Sequence, residues 1–198
     1  MKATHDLPEG YQTSGTFDLK NQKVLIWLNV LGVIALIISL FLFGAVFMVL
    51  RPESFGSVTI RTDSILDTLL FILTLAAAIF AVLVLHEMIH GLFFWLFSRQ
   101  RPIFGFKGFY AFASMPGWYF PKNQYLVIGS APLILISLLG IMFVRIVPFN
   151  SLWIIFLSLV VNASGSIGDL VVVTRLMFKP KTTLAQDFVD TITFYTKE

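Results

Sequence analysis

The segment from Val24 to Leu50 contains no ionisable side chain, and three more apolar stretches follow, from about Ser64 to Phe97, Tyr125 to Val147 and Ser151 to Phe178. Crossing a hydrocarbon core of about 30 Å takes ~20 helical residues. Within lipid a backbone must satisfy its own hydrogen bonds, which leaves helices or closed barrels. Long, unalternating runs select helices. The expectation is an all-α membrane protein with about four transmembrane helices. Composition agrees, with 57% hydrophobic and 13% charged residues among 198, about half the charge of a soluble domain. The 21 Phe and 4 Trp exclude a disordered chain. Cysteine is absent, which removes disulfides, thiolate ligands and thiol nucleophiles.

One membrane domain is expected over 24–178, between an N-terminal tail at 1–23 and a C-terminal tail at 179–198. The polar stretch before the first run, with no small-residue cleavage site after a short apolar core, argues against a signal peptide. Thr182 to Glu198, polar with scattered apolar residues, suggests a short amphipathic helix on the membrane surface. Four spans put both termini and the loop at 98–124 on one side. That side carries Lys2, Lys20, Lys23, Arg99, Arg101, Lys107, Lys122, Arg175, Lys179, Lys181 and Lys197, against Arg51, Arg61 and Arg145 opposite. Basic residues accumulate on the cytoplasmic side, so both termini are expected there, in a multi-pass protein of the cell membrane. The basic residues flank helix ends and form no continuous stripe, so no nucleic-acid partner is implied.

Ionisable groups at bilayer depth are costly and mark function by default. His86-Glu87-Met88-Ile89-His90 in the second span is an HExxH motif. On a helix, residues four apart share a face, so both imidazoles reach one metal while Glu87 sits beside its water as a base. Catalytic zinc takes three protein ligands and keeps a position open. Asp169 is the candidate third ligand. It and the histidines each lie about nine residues, roughly 13 Å, from the cytoplasmic ends of parallel helices. A buried polar cluster acting as interhelical glue is the non-metal alternative, and the donor set also suits divalent ions other than zinc. Two histidines one turn apart cannot ligate a haem from opposite sides.

These pieces carry a resemblance. His86-Glu87-xx-His90, Ala131-Pro132 in the third span, and Asn162 to Asp169 with its Gly-Ser-x-Gly-Asp ending are similar to the site-2 protease class of intramembrane metallopeptidases. More closely, the chain resembles a small bacterial multi-pass family described as zincin peptidases, over roughly residues 65 to 180. The resemblance implies zinc on His86, His90 and Asp169, with Glu87 as the base. Unlike the site-2 proteases, this chain has no prolines between its Asn and Asp, a shorter Asn-to-Asp spacing, and Leu170 in place of a Gly after the Asp.

Other residues have two readings. Asn162, about two turns before Asp169, could orient a substrate backbone, stabilise an oxyanion, or form an interhelical hydrogen bond. Gly165, Ser166 and Gly168 would let the fourth helix approach the second. Pro132 should kink the third helix and could open a path for water. In the loop at 98–124, Phe104, Phe106, Tyr110 and Phe112 alternate, with Gly108 in register, as in an extended segment. It suits a strand edge that binds a peptide, an aromatic belt at the interface, or a re-entrant β-hairpin covering the site. The functional expectation is a zinc-dependent intramembrane peptidase that cleaves a membrane-associated protein or peptide near the cytoplasmic face. The alternative is a scaffold or regulator with a structural metal clasp. A transporter is disfavoured, because one site without further ionisable residues along the spans gives no conduction path.

Overall fold

The structure is a computed structural model and describes residues 2–54, 64–108 and 110–197. Arg61, assigned above to the outer side, lies outside the described residues. Helices α1 (Gln22–Leu50), α2 (Ile65–Ser98) and α3 (Lys122–Val144) form the three longest apolar runs, each long and apolar enough to cross a membrane. Asn21 caps α1 through the amide of Lys23, and Ser64 caps α2 through the amide of Asp67, which supplies partners for amides a helix start leaves open. Large apolar side chains stay exposed along them, with Phe41 at 77% and Val49 at 79%. Such surface suits lipid, not water.

The fourth run is not one helix. It divides into α4 (Leu152–Gly165) and α5 (Ile167–Met177), bent by 46°. Ser166 lies at the break, and its hydroxyl donates back to the Asn162 carbonyl at 2.7 Å. Back-bonding of this kind bends helices, and Gly165 and Gly168 on either side are poor helix formers. Counted as one broken span, the pair makes a fourth candidate crossing, which fits a multi-pass membrane protein.

The chain is mostly helical but not all-α, because six strands accompany the helices among the described residues. β1 (Tyr11–Asp18), β4 (Tyr119–Pro121), β5 (Leu184–Phe188) and β6 (Thr191–Lys197) form an antiparallel sheet in the order β1-β6-β5-β4. The amphipathic helix expected over Thr182 to Glu198 is thus a β-hairpin instead. The segment 191–196 alternates β-branched or aromatic residues on two faces, a period of two that a helix cannot use. Phe194, from one face, is buried with Phe17 of β1, Phe94 of α2, Tyr125 of α3 and Leu176 of α5. Both chain ends therefore pack on the same end of the helices, where α2 stops and α3 begins. Lys122 donates its ammonium to the Met177 and Lys179 carbonyls at 2.8 and 2.6 Å, fixing the start of α3 beside the end of α5.

The loop between α2 and α3 contains β2 (Ile103–Lys107) and β3 (Tyr110–Ser114), an antiparallel hairpin. The expected extended register breaks at Gly108, which takes φ +60° between the paired residues Lys107 and Tyr110. Since cross-strand partners share a face, Phe104 and Phe106 lie with Ala113 and Ala111 on one face. Tyr110 and Phe112 lie with Lys107 and Gly105 on the other. The first face packs on α2. The Phe106 ring stacks on Phe80 at 6.1 Å, and Phe104 sits so close to Gly91 that an added Cβ would meet its ring at 2.1 Å.

Candidate metal centre

His86 and His90 are buried on one face of α2, and α5 delivers Asp169 from its first turn. The three side chains meet. His86 Nε2 lies 3.1 Å from Asp169 Oδ2, His90 Nε2 lies 3.4 Å from Asp169 Oδ1, and the two Nε2 atoms are 3.2 Å apart. Among the described residues, these three form a group whose ligand atoms all lie within 4.8 Å of one another. Zinc bonds of about 2.0–2.1 Å, set tetrahedrally, place ligand atoms roughly 3.3–3.4 Å apart. The donor set therefore fits a cation of that size.

Both rings are held by their other nitrogen. His90 Nδ1 lies 2.9 Å from the Ile128 carbonyl, which can only accept, so Nδ1 carries the proton. That carbonyl is available because Pro132, four residues on, has no N–H to donate to it. Pro132 lies inside α3, which runs from Lys122 to Val144, and it leaves this acceptor free. His86 Nδ1 lies 3.0 Å from Asn162 Oδ1, and the Asn162 amide nitrogen donates to the Pro132 carbonyl at 3.4 Å. The second bond fixes which end of the amide faces the ring, so His86 Nδ1 is also the protonated nitrogen. Both Nε2 atoms then turn toward each other and toward the carboxylate. With the rings neutral, four acceptor atoms converge, an arrangement that a bound cation would satisfy.

Asn162 is 3% exposed and spends both polar ends on this support. In the structure it forms the interhelical hydrogen bond, with His86 as partner. Gly165 and Gly168 do not mediate a close helix contact. A Cβ added at Gly165 or Gly168 would meet nothing within 4 Å, whereas one at Gly129 would lie 2.7 Å from Val173. Close approach occurs between α3 and α5, and it brings Asp169 to the histidines. Gly165 and Gly168 instead leave space in a cavity of about 660 Å³, which His86, Glu87, His90 and Asp169 also line. Glu87 is half-buried there, next to the backbone of Ala113 in β3.

Residues that spacing did not single out support the wall. Asp187 of β5 is buried and accepts from the Ser114 hydroxyl at 2.6 Å, the Tyr125 hydroxyl at 2.8 Å and the Val189 amide at 3.2 Å. Burial pushes its carboxyl above the usual range, against the pull of those donors. Asp190 binds Lys107 and the Tyr110 hydroxyl, with Lys20 at 3.9 Å. These partners hold its carboxyl below the ordinary value, while burial and Asp190 push the Tyr110 hydroxyl up to about 12. The β5–β6 turn thereby grips both ends of β3. No sequence motif marks Asp187 or Asp190, since their partners lie on other elements.

A bundle of apolar helices enclosing a His-His-carboxylate centre, with a glutamate in the same cavity, defines a metallopeptidase-like class. The chain belongs to the family described as "Putative zincin peptidase", which it matches over residues 79–184. That match runs from the middle of α2 to the first residue of β5, and takes in His86, Glu87, His90, Asn162 and Asp169 but not Asp187 or Asp190. No curated protein and no solved structure matches the chain.

Proposed function

We propose that the protein is a zinc-dependent peptidase of the cell membrane, cleaving a membrane-associated or membrane-spanning protein segment near the cytoplasmic face. The carrying observation is the convergence of two imidazole Nε2 atoms and a carboxylate, with both rings held by acceptors at Nδ1. His86, His90 and Asp169 would hold the metal. Bound there, zinc supplies Lewis acidity, polarising a carbonyl and making water acidic near neutral pH. Glu87, beside His86 and facing the same cavity, takes the proton of the water that attacks the peptide carbonyl and returns it to the leaving amine. Asn162 acts as a positioning residue for His86, with oxyanion or substrate contact as the rival role. Strand β3 lines the cavity from Tyr110 to Ala113 and offers an edge on which an unwound peptide can be laid, exposing its carbonyls as a helix does not. Eleven of the 14 Lys and Arg residues lie on the sheet side of the expected spans, which supports cytoplasmic termini.

Metal analysis of purified protein beside Asp169→Ala, with cleavage of an unfolded reporter protein in detergent by wild type and Glu87→Gln, tests the reading. Wild type should bind one equivalent of zinc, Asp169→Ala little, and Glu87→Gln should hold zinc without turnover. Cleavage retained by Glu87→Gln would overturn the assigned base. Zinc bound with no cleavage by wild type would favour the structural clasp.

A further inference from the structure

We propose that Val189 is a specificity-determining residue, forming the wall of the pocket that receives a substrate side chain next to the metal centre. The inference rests on the peptidase reading and adds a size limit to it. Val189 and Asp190 form the two-residue loop between the paired residues Phe188 and Thr191. Val189 takes φ +56°. Two-residue hairpin loops with positive φ at the first position take glycine there, and for a β-branched residue this conformation is a strained outlier. The surroundings hold it in place. Its amide donates to the Ser114 hydroxyl at 3.1 Å and to Asp187 at 3.2 Å, while Asp190 is tied to Lys107 and Tyr110. The half-buried valine lines the same cavity as His86, Glu87, His90 and Asp169, on a turn clamped to β3. Glycine would relieve the backbone at once. A side chain kept at such a cost, on the cavity wall, points to a use for the side chain itself.

Val189→Gly separates the two roles, because a merely structural valine predicts no loss on replacement by the residue the turn prefers. The probes are two peptide hydroxamates, metal chelators that differ in one adjoining side chain, alanine or phenylalanine. Their affinities are measured with zinc-loaded full-length protein in detergent, alongside zinc content and thermal stability. Wild type should favour the alanine compound. Val189→Gly should melt at or above wild type and shift the preference toward phenylalanine roughly tenfold or more, the scale that small changes in an apolar pocket give. Val189→Asn, which tolerates positive φ at similar size, should keep the wild-type preference. An unchanged preference in Val189→Gly, a variant melting well below wild type, or zinc-loaded wild type that binds neither hydroxamate would overturn the assignment. Wild type without zinc would instead sink the peptidase reading beneath it.

Discussion

Replacing Asn162 by alanine removes an amide oxygen 3.0 Å from His86 Nδ1 and an amide nitrogen 3.4 Å from the Pro132 carbonyl. The side chain is buried, so water does not readily fill the gap. His86 is left with an unpartnered N–H in a dry environment, costing about 1–3 kcal/mol. Its ring is also free to rotate or to move the proton to Nε2, the nitrogen that should face the metal. Loss of such a supporting partner typically lowers metal affinity about 10–100-fold, or roughly 1.4–2.8 kcal/mol, and the two figures agree in size. The assay is a chelator-buffered zinc titration of purified wild type, Asn162→Ala and Asn162→Asp. Asn162→Asp keeps an acceptor for Nδ1 and should recover most of the affinity lost by Asn162→Ala. A residue acting on an oxyanion would behave otherwise, losing turnover while zinc affinity stayed put. Zinc affinity indistinguishable between Asn162→Ala and wild type would refute the positioning role.

Three further outcomes follow from the same contacts. Gly91→Ala places a methyl 2.1 Å from the Phe104 ring, so the hairpin must shift. It should lower thermal stability by about 1–3 kcal/mol and raise protease cutting within 101–116, while unchanged melting would show that the ring swings aside freely. The ionic clamp on Asp190 has a definite pH sign. Its carboxyl lies below the ordinary value in the fold, so the stability it contributes is present above the unfolded pKa of about 3.9 and is lost as pH falls through the folded value. Melting curves taken downward from pH ~5 should therefore fall less steeply for Asp190→Asn than for wild type; parallel curves would dismiss the clamp. Removing Ser114's hydroxyl with Ser114→Ala should destabilise the protein by about 1–3 kcal/mol without changing zinc stoichiometry, since it supports Asp187 and Val189 but touches no metal ligand.

How the site is built explains which parts were legible beforehand. HExxH is local: His86 and His90 share a face by helix geometry alone, and the apolar run around them declares a helix. Asp169 was reachable because charge at membrane depth is rare and its distance from the helix end matched theirs. The bend at Ser166 was not, because a run of apolar and small residues reads alike whether straight or broken. Asn162 displayed its type and depth but not its partner. Nor did the sequence reveal why Pro132 matters, since the meeting of the Ile128 carbonyl and His90 depends on how α3 packs against α2.

The chain ends show the same division. The alternation in 191–196 was a strand signal available in the letters, yet a lone hairpin has little to stabilise it; β1 lies 173 to 186 residues from its partner β6, and β4 lies 63 to 69 residues from its partner β5. Hydropathy and helical spacing act over one or two turns, so sequence by itself determined the apolar helices, the two-histidine face and the side on which charge gathers. The sheet joining both termini, the clamp of Asp187 and Asp190 on β3, and the strained Val189 in the cavity wall were decided only by tertiary structure. Each depends on long-range contacts whose partners no local pattern names.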